Sequence, residues 1–185
     1  MFASFEVLER EAFACTKCPL AETRTQVVFG AGDPDADLLF VGEGPGEQED
    51  LQGIPFVGRA GKLLTSLIEG IGLDRDAVYI ANVVKCRPPG NRDPSPLEIE
   101  SCRPYLEAQV EFIDPKVVAT LGNFATKLLL GTKEGITKLR GQEFPYRGGV
   151  LVPTLHPSAV LRNGGTALAQ TRADFVVAKR ALPRG

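Results

Sequence analysis

Short apolar runs alternate along this chain with longer segments whose apolar residues recur every three or four positions. The runs are wholly apolar over four or more residues, as in Leu38–Val41, a pattern typical of parallel strands that are buried on both faces. The segment that opens at Gly58 instead carries leucines and isoleucines at helical spacing as far as Ile71, and Gly72 ends it. The predicted strands are 38–41, 78–81, 117–121 and 150–155, and the predicted helices are 4–14, 58–71, 96–112, 123–130 and 166–181.

Strands separated by helices predict a parallel sheet with helices on both faces. We therefore expect a three-layer α/β/α fold with a central four-stranded parallel sheet. Pro153 cannot donate a ladder hydrogen bond, so the fourth strand is predicted to lie near an edge. Ligands of such sheets bind beyond the carboxyl ends of the strands. Polar or glycine-rich segments follow all four predicted strands, at 42–46, 82, 122–123 and 156–158.

The composition indicates one globular domain, residues 1–185. The chain is 43% hydrophobic, and 185 residues are enough to bury about 70% of the unfolded surface in one core. The net charge of −2 provides no global attraction to nucleic acid or anionic lipid, so DNA binding requires a local basic face. No apolar run approaches the 18 residues of a membrane span, and the start carries no apolar secretory leader. We expect a cytoplasmic protein and a monomer.

The four cysteines, Cys15, Cys18, Cys86 and Cys102, form a C-x2-C pair, a gap of 67 residues and a C-x15-C pair. With no thiol left over, this set predicts one metal site. A reducing cytosol disfavours disulfides, and inert buried cysteines are a further alternative. Structural zinc and a [4Fe–4S] cluster both stay open, although zinc sites usually combine two C-x2-C pairs, so the wide second pair favours the cluster. Either metal would clamp the proline-rich loop that follows Asn82.

Candidate catalytic groups occur in the polar segments at the sheet edge. His156 is the single histidine, and its place after a predicted strand favours function over a purely structural role. The segment 42–46 is similar in form to a phosphate loop, but it lacks the G-K-[ST] ending and the G-x-G-x-x-G spacing. The segment 58–62 predicts either a cradle for a backbone phosphate or an ordinary glycine-rich helix start.

Five segments, in order, resemble the family 4 uracil-DNA glycosylases, the iron–sulfur branch of the uracil-glycosylase superfamily. The segments are the C-x2-C pair, Val41-Gly-Glu-Gly-Pro-Gly-Glu-Gln-Glu-Asp50, Pro55-Phe-Val-Gly-Arg59, Asn82-Val-Val-Lys-Cys-Arg-Pro-Pro89 with Asn91 and Arg92, and His156-Pro-Ser158. The resemblance runs from about Cys15 to the final helix. It implies the glycosylase fold, a [4Fe–4S] cluster on the four cysteines, and hydrolysis of deoxyuridine in single- or double-stranded DNA to uracil and an abasic site.

The resemblance also implies roles for individual residues. Cleavage of the N-glycosidic bond produces an oxocarbenium-like sugar and a uracil anion, so the site must hold an extruded base and stabilise its charge. By the resemblance, Phe56 stacks on the flipped ring, Asn82 pairs with uracil N3–H and O4, and His156 donates to O2. Glu43 and Asn91 orient the attacking water or stabilise the sugar cation. Each of three residues also has a simpler, purely structural explanation: Phe56 as a core residue, Asn82 as a strand-end cap and Glu43 as a solvated loop residue.

The resemblance further implies that Glu49 supports the pocket wall and that Gly44 contacts the base. The family 1 glycosylases have an aspartate and a tyrosine at the positions that Gly44 and Gly46 occupy here. The mechanism is therefore expected to rely on stabilising the leaving group more than on a strong base at that position. How thymine is rejected stays open.

We expect DNA contacts from basic residues around the pocket and the cysteine loop: Arg59, Lys62, Lys85, Arg87, Arg92, Arg103 and Arg162. Val160 or Leu161 is expected to fill the space that the flipped base vacates, unless this turn only packs on the sheet.

Two rival functions remain. One is an iron–sulfur nucleic-acid-binding module that keeps the fold without the chemistry. The other is the suicide branch of the superfamily, which attaches covalently to the abasic site through an extra histidine after the second strand. The loop after the second strand here has no histidine.

Overall fold

A computed structural model describes residues 1–183, so the last two residues of the predicted domain 1–185 lie outside the described part. The strands are β1 (Ala31–Gly32), β2 (Leu38–Gly42), β3 (Tyr79–Asn82), β4 (Val117–Leu121), β5 (Phe144–Tyr146) and β6 (Gly149–Thr154). They form one sheet in the order β1-β3-β2-β4-β6-β5. The central strands β3, β2, β4 and β6 are parallel, as predicted.

The sheet differs from the prediction at its edges. β1 and β5 pair antiparallel with β3 and β6, so the sheet has six strands where the sequence predicts four. Both added strands are only two or three residues long and partly exposed, so they have no apolar run to reveal them. Pro153 lies on β6, beside the edge strand, at a position beyond the last residue that β5 pairs.

The helices are α1 (Phe5–Phe13), α2 (Leu20–Thr23), α3 (Glu47–Gln52), α4 (Arg59–Gly70), α5 (Pro96–Ile113), α6 (Asn123–Leu130), α7 (Ile136–Leu139), α8 (Pro157–Asn163) and α9 (Gly165–Ala181). The five predicted helices correspond to α1, α4, α5, α6 and α9. The other four are seven residues or shorter, too short to give a clear helical period. Within the described residues, no helix combines the length and apolarity that crossing a membrane requires.

Alternate residues of the central strands face two separate cores. On β2, Leu39 and Val41 pack into the core that α5 and α6 cover, whereas Leu38 and Phe40 pack into the core that α4 and α9 cover. The sheet is therefore the middle of three layers, as expected for strands that are apolar on both faces. The chain passes from β2 to β3 on one side and then to β4 on the other side of β2. Such a reversal of strand order opens a crevice at the carboxyl ends of the strands.

Candidate active site

A cavity of about 360 Å³ lies at the carboxyl ends of β2, β3 and β6. Its wall includes the predicted pocket residues Glu43, Gly44, Glu49, Phe56, Asn82, Asn91 and His156, together with Pro45, Gly46, Ala60, Pro88, Arg92, Ser158 and Arg162. The tertiary structure thus brings together four segments of the chain, 43–49, 56–60, 82–92 and 156–162.

Asn82 is the last residue of β3 and is buried, with 2% of its surface exposed. Its Oδ1 atom is buried and has no hydrogen-bond partner among the described residues. The absence of a side chain at Gly42 makes room for it, because a Cβ there would lie 2.5 Å from this oxygen. A buried acceptor without a partner is costly. In a cavity wall, it indicates a site for a ligand that donates a hydrogen bond.

Phe56 is buried against the same cavity, and its ring centroid lies 5.7 Å from that of His156. Its backbone has a φ of 52°, which is unusual for a bulky side chain. The Oε1 atom of Glu49 accepts hydrogen bonds of 3.0 Å from the backbone N–H groups of Val57 and Gly58. Glu49, which also lines the cavity, thereby orders the loop that carries Phe56.

His156 follows β6 and caps the N-terminus of α8. Its Nδ1 atom accepts a 3.1 Å hydrogen bond from the backbone N–H of Ser158 and lies 2.6 Å from the Ser158 hydroxyl. Burial lowers the pKa of His156 to about 4, with a further contribution from Arg162, so the ring is neutral at pH 7. Because Nδ1 is an acceptor, the single proton of the neutral ring is on Nε2. His156 is therefore a neutral hydrogen-bond donor.

Glu43 follows β2 on the cavity wall. Its pKa is raised, chiefly by burial and further by the nearby carboxylate of Asp93, whereas Arg162 opposes the shift. A carboxylate with a raised pKa is a better proton acceptor than an ordinary exposed glutamate. Asn91 has a left-handed backbone (φ 56°), and its Oδ1 accepts a 2.7 Å hydrogen bond from Nε of Arg87. No acceptor among residues 1–183 binds the Asn91 amide N–H groups, so they are available as donors.

Gly44 lies where a larger side chain does not fit, and Gly46 lies against the Glu49 carboxylate, which would have to move to admit one. A Cβ at Gly44 would lie 2.6 Å from a methyl carbon of Val84, and a Cβ at Gly46 would lie 2.8 Å from a carboxylate oxygen of Glu49. Gly61 has a similar packing role, because a Cβ there would lie 1.9 Å from the Phe56 carbonyl oxygen. The N–H of Gly58 is already bonded to Glu49. Gly58 is thus the N-cap of α4, and a phosphate cradle on the other N–H groups of the segment 58–62 stays a prediction.

All four cysteines line one small pocket between α1, α2, α5 and the loop after β3. Nη1 of Arg24 donates a 3.4 Å hydrogen bond to Sγ of Cys86 and a 2.8 Å hydrogen bond to the carbonyl of Cys15. Burial raises the pKa of Cys102 to about 11, so the free thiol is protonated at pH 7. No group of three or more His, Cys, Asp or Glu side chains in the described residues is spaced to hold a single metal ion.

Two of the predicted DNA contacts are wrong. Lys85 is fully inside the protein, with 2% exposed. Its Nζ donates to Oε1 of Gln109 and, at 2.9 Å, to the carbonyl of Asn82. Val160 is 3% exposed and packs with Leu155 in a core between α8 and α9.

The other predicted contacts are at least partly exposed, and Leu161, beside Val160, is 43% exposed. Arg92 and Arg162 lie at the cavity wall. Arg103 forms an exposed ion pair with Glu100. The loop after β3 has protein contacts of its own, including a bidentate ion pair between Arg92 and Glu98.

Sequence reasoning missed two residues that support the site. Ser158 sets the tautomer of His156, and Arg75 binds the backbone carbonyls of Pro55 and Phe56. Ser158 belongs to the His156-Pro-Ser158 motif, and its place at the start of a helix is the signal that could have identified it. Nothing in the local sequence around Arg75 marks it.

The structure is that of an α/β protein with a cavity at the carboxyl edge of its sheet, and known proteins are similar to it in sequence. The model of the Uracil DNA glycosylase superfamily matches residues 29–182, so the chain belongs to that superfamily. The Type-4 uracil-DNA glycosylase of Thermotoga maritima is 50% identical over 165 residues, which cover 88% of this chain and 86% of the relative. Similar relatives of the same name occur in Sulfurisphaera tokodaii (48% over 169 residues, 86% and 77% covered) and Archaeoglobus fulgidus (46% over 166 residues, 85% and 83% covered). The resemblance noted in the sequence is confirmed.

Proposed function

We propose that this protein is a uracil-DNA glycosylase that flips deoxyuridine out of DNA and hydrolyses its N-glycosidic bond, releasing uracil and leaving an abasic site for base excision repair. The observation that carries the proposal is the unpartnered Oδ1 of Asn82, which shares one cavity with the ring of Phe56 and the neutral imidazole of His156. The names of the relatives support the same reaction.

Asn82 is the residue that reads uracil. Its Oδ1 accepts from uracil N3–H, and its amide N–H donates to O4, so the side chain is complementary to uracil and not to cytosine. Lys85, which bonds to the Asn82 carbonyl, and Gly42, which leaves room for the Asn82 oxygen, hold the amide in a fixed place. Phe56 stacks on the face of the flipped ring, a contact worth about 1–3 kcal/mol per base in other proteins.

His156 stabilises the leaving group. As the glycosidic bond breaks, negative charge develops on uracil O2, and Nε2–H of the neutral imidazole donates to that oxygen. A neutral donor is suitable because it polarises O2 without first transferring a proton, and a donor of this kind is worth about 10²–10³ in rate.

Glu43 and Asn91 act on the sugar side. The Glu43 carboxylate accepts a proton from the attacking water and opposes the positive charge that develops on the sugar. Asn91, whose oxygen is engaged by Arg87, uses its amide N–H groups to position the water. Gly44 brings the loop backbone close to the base, because nothing larger fits against Val84.

The four cysteines fit a [4Fe–4S] cluster. They converge on one pocket, they leave no thiol unused, and Arg24 donates toward Cys86 as suits an anionic ligand. When bound, the cluster supplies a structural clamp between the segment 15–18 and the segment 86–102, and hydrolysis requires no redox step.

DNA binds on the face around the cavity mouth. Arg59, Lys62, Arg87, Arg92 and Arg162 contact the phosphates, and exposed Leu161 fills the space left by the flipped base. The basic residues are local, in agreement with the net charge of −2. Three further expectations remain predictions: that the chain is a single domain, that it is a monomer, and that it is cytoplasmic.

The purified protein should release uracil from single- and double-stranded oligonucleotides that contain one deoxyuridine, and should leave matched thymidine and deoxycytidine oligonucleotides intact. Strand cleavage after alkali and chromatography of the free base measure this directly. Binding to the uracil oligonucleotide without release would instead support the non-catalytic binding module, and a covalent adduct would support the suicide branch.

A further inference from the structure

The backbone that carries Phe56 has a conformation that its own sequence disfavours. Phe56 has a φ of 52° although it is bulky and is not glycine. Such a conformation persists only where surrounding contacts impose it. Glu49 binds the N–H groups that follow Phe56, but it does not bind the carbonyl groups of the strained segment. Another group must therefore hold those carbonyls.

Arg75 binds them. Its Nη1 donates 2.7 Å to the carbonyl oxygen of Phe56, and its Nη2 donates 2.5 Å to the carbonyl oxygen of Pro55. Nη1 also lies 2.8 Å from Oγ1 of Thr65 on α4. One planar guanidinium thus joins two consecutive carbonyls to a helix, a geometry that a single lysine nitrogen cannot reproduce.

The rest of α4 is adapted to this contact. Gly61 has no side chain, and this lets the Phe56 carbonyl approach the helix and reach Arg75. No carboxylate in the described part of the chain lies within ion-pair distance of Arg75. The half-buried cation is therefore used mainly to bind the 55–56 backbone.

We propose that Arg75 is a positioning residue that holds the ring of Phe56 in place for stacking on the flipped base. The inference rests on the proposed function, because the stacking role of Phe56 does. Arg75 is not part of the cavity wall, so it acts on the base only through Phe56.

The test is a double-mutant cycle measured by single-turnover uracil release well below the melting temperature. We expect Phe56→Ala to slow release by about tenfold or more, and Arg75→Met to slow it by about 10- to 100-fold, because a misplaced contact group costs that much. If Arg75 acts through Phe56, the double variant should be no slower than the slower single variant by more than about twofold. The proposal would be overturned if the losses of rate of the two single variants multiplied in the double variant. A normal rate in Arg75→Met with only a lower melting temperature would also overturn it.

Arg75→Lys keeps the positive charge but loses the two-pronged guanidinium. If Arg75→Met does not fold, the double-mutant cycle is measured with Arg75→Lys in its place. Arg75→Lys should slow release, by less than Arg75→Met. Arg140→Lys is the matched control. Arg140 is also a half-buried arginine that binds through two guanidinium nitrogens, but its partner is Asp174, away from the cavity. Arg140→Lys should lower the melting temperature without slowing release. An active wild type with normal Arg75 variants would refute this inference alone, whereas an inactive wild type would refute the proposed function and this inference with it.

Discussion

The backbone N–H of Ser158 donates to Nδ1 of His156, and this one contact decides which nitrogen of the imidazole carries the proton. Since the pKa of His156 is lowered to about 4, the ring is neutral across the physiological range and its proton is on Nε2. The proposed electrophile is therefore prepared before the substrate arrives, and its state does not change near pH 7.

Replacing His156 should slow the chemical step far more than it weakens DNA binding. His156→Asn is the sharper variant, because asparagine can still cap α8 but cannot place a donor where Nε2 lies. We expect single-turnover release to fall by about 10²-fold or more, with affinity for uracil DNA within a few fold. His156→Ala should show the same loss of rate, with an additional loss of stability of about 1 kcal/mol from the missing cap. A near-normal rate in either variant would show that His156 only packs the end of β6.

The rate of uracil release should fall at acid pH as Glu43 is protonated. Its pKa is raised above the ordinary 4.5, so the carboxylate form is lost on descending through that higher value, while His156 stays neutral down to about pH 4. Asp93→Asn should move this acid limb to lower pH, because Asp93 raises the pKa of Glu43. The Glu43→Gln variant should release uracil slowly, and its rate should not fall at acid pH. An acid limb that persists in Glu43→Gln would assign the titration to another group.

Asn82→Asp should lose uracil release and gain release of cytosine. A carboxylate has no N–H for uracil O4, whereas the protonated acid presents an acceptor and a donor that match the edge of cytosine. The gain should therefore increase as the pH is lowered. Release of each base from matched oligonucleotides measures the switch, and unchanged uracil release would exclude Asn82 as the reader.

The purified protein should be brown, with about four irons per chain. Cys86→Ala and Cys102→Ala should lose the visible absorbance and the iron, and should lower activity by loosening the 86–102 segment. Ser101→Ala is the neighbouring control and should keep both. Because Arg92 and Glu98 also bind within that segment, part of its order should survive cluster loss. Stoichiometric zinc in anaerobically prepared protein would contradict the cluster.

Gly44→Ala should damage the pocket more than the small size of the change suggests. The added methyl group would lie 2.6 Å from Val84, so the loop after β2 must move and the base contacts must move with it. We expect a loss of rate of about tenfold or more from the displaced contact. Gly70→Ala, at the end of α4 with nothing within 4 Å of the added carbon, is the control and should keep full activity. Equal rates in the two variants would show that the loop adapts without affecting the base.

Much of this protein was predictable from local patterns. The four central strands appear as short apolar runs because they are buried on both faces, and the five helices appear as apolar residues at helical spacing because they are buried on one face. The positions of Asn82 and His156 at strand ends placed both at the carboxyl edge of the sheet, since parallel strands bring those ends together. The spacing of the cysteines predicted one shared site, and the structure brings all four to one pocket.

The tertiary structure decided what depends on neighbours that are distant in sequence. Lys85 and Arg87 have the same charge in the same loop, yet Lys85 points into the core toward Gln109 and only Arg87 remains near the surface. Val160 and Leu161 are adjacent apolar residues, and the packing of α8 on α9 buries the first and exposes the second. A sequence pattern indicates which positions of a segment are exposed to solvent and which are buried. It does not record which partner lies across a contact, and therefore the tautomer of His156, the burial of Lys85 and the backbone of Phe56 could be assigned only in the folded protein.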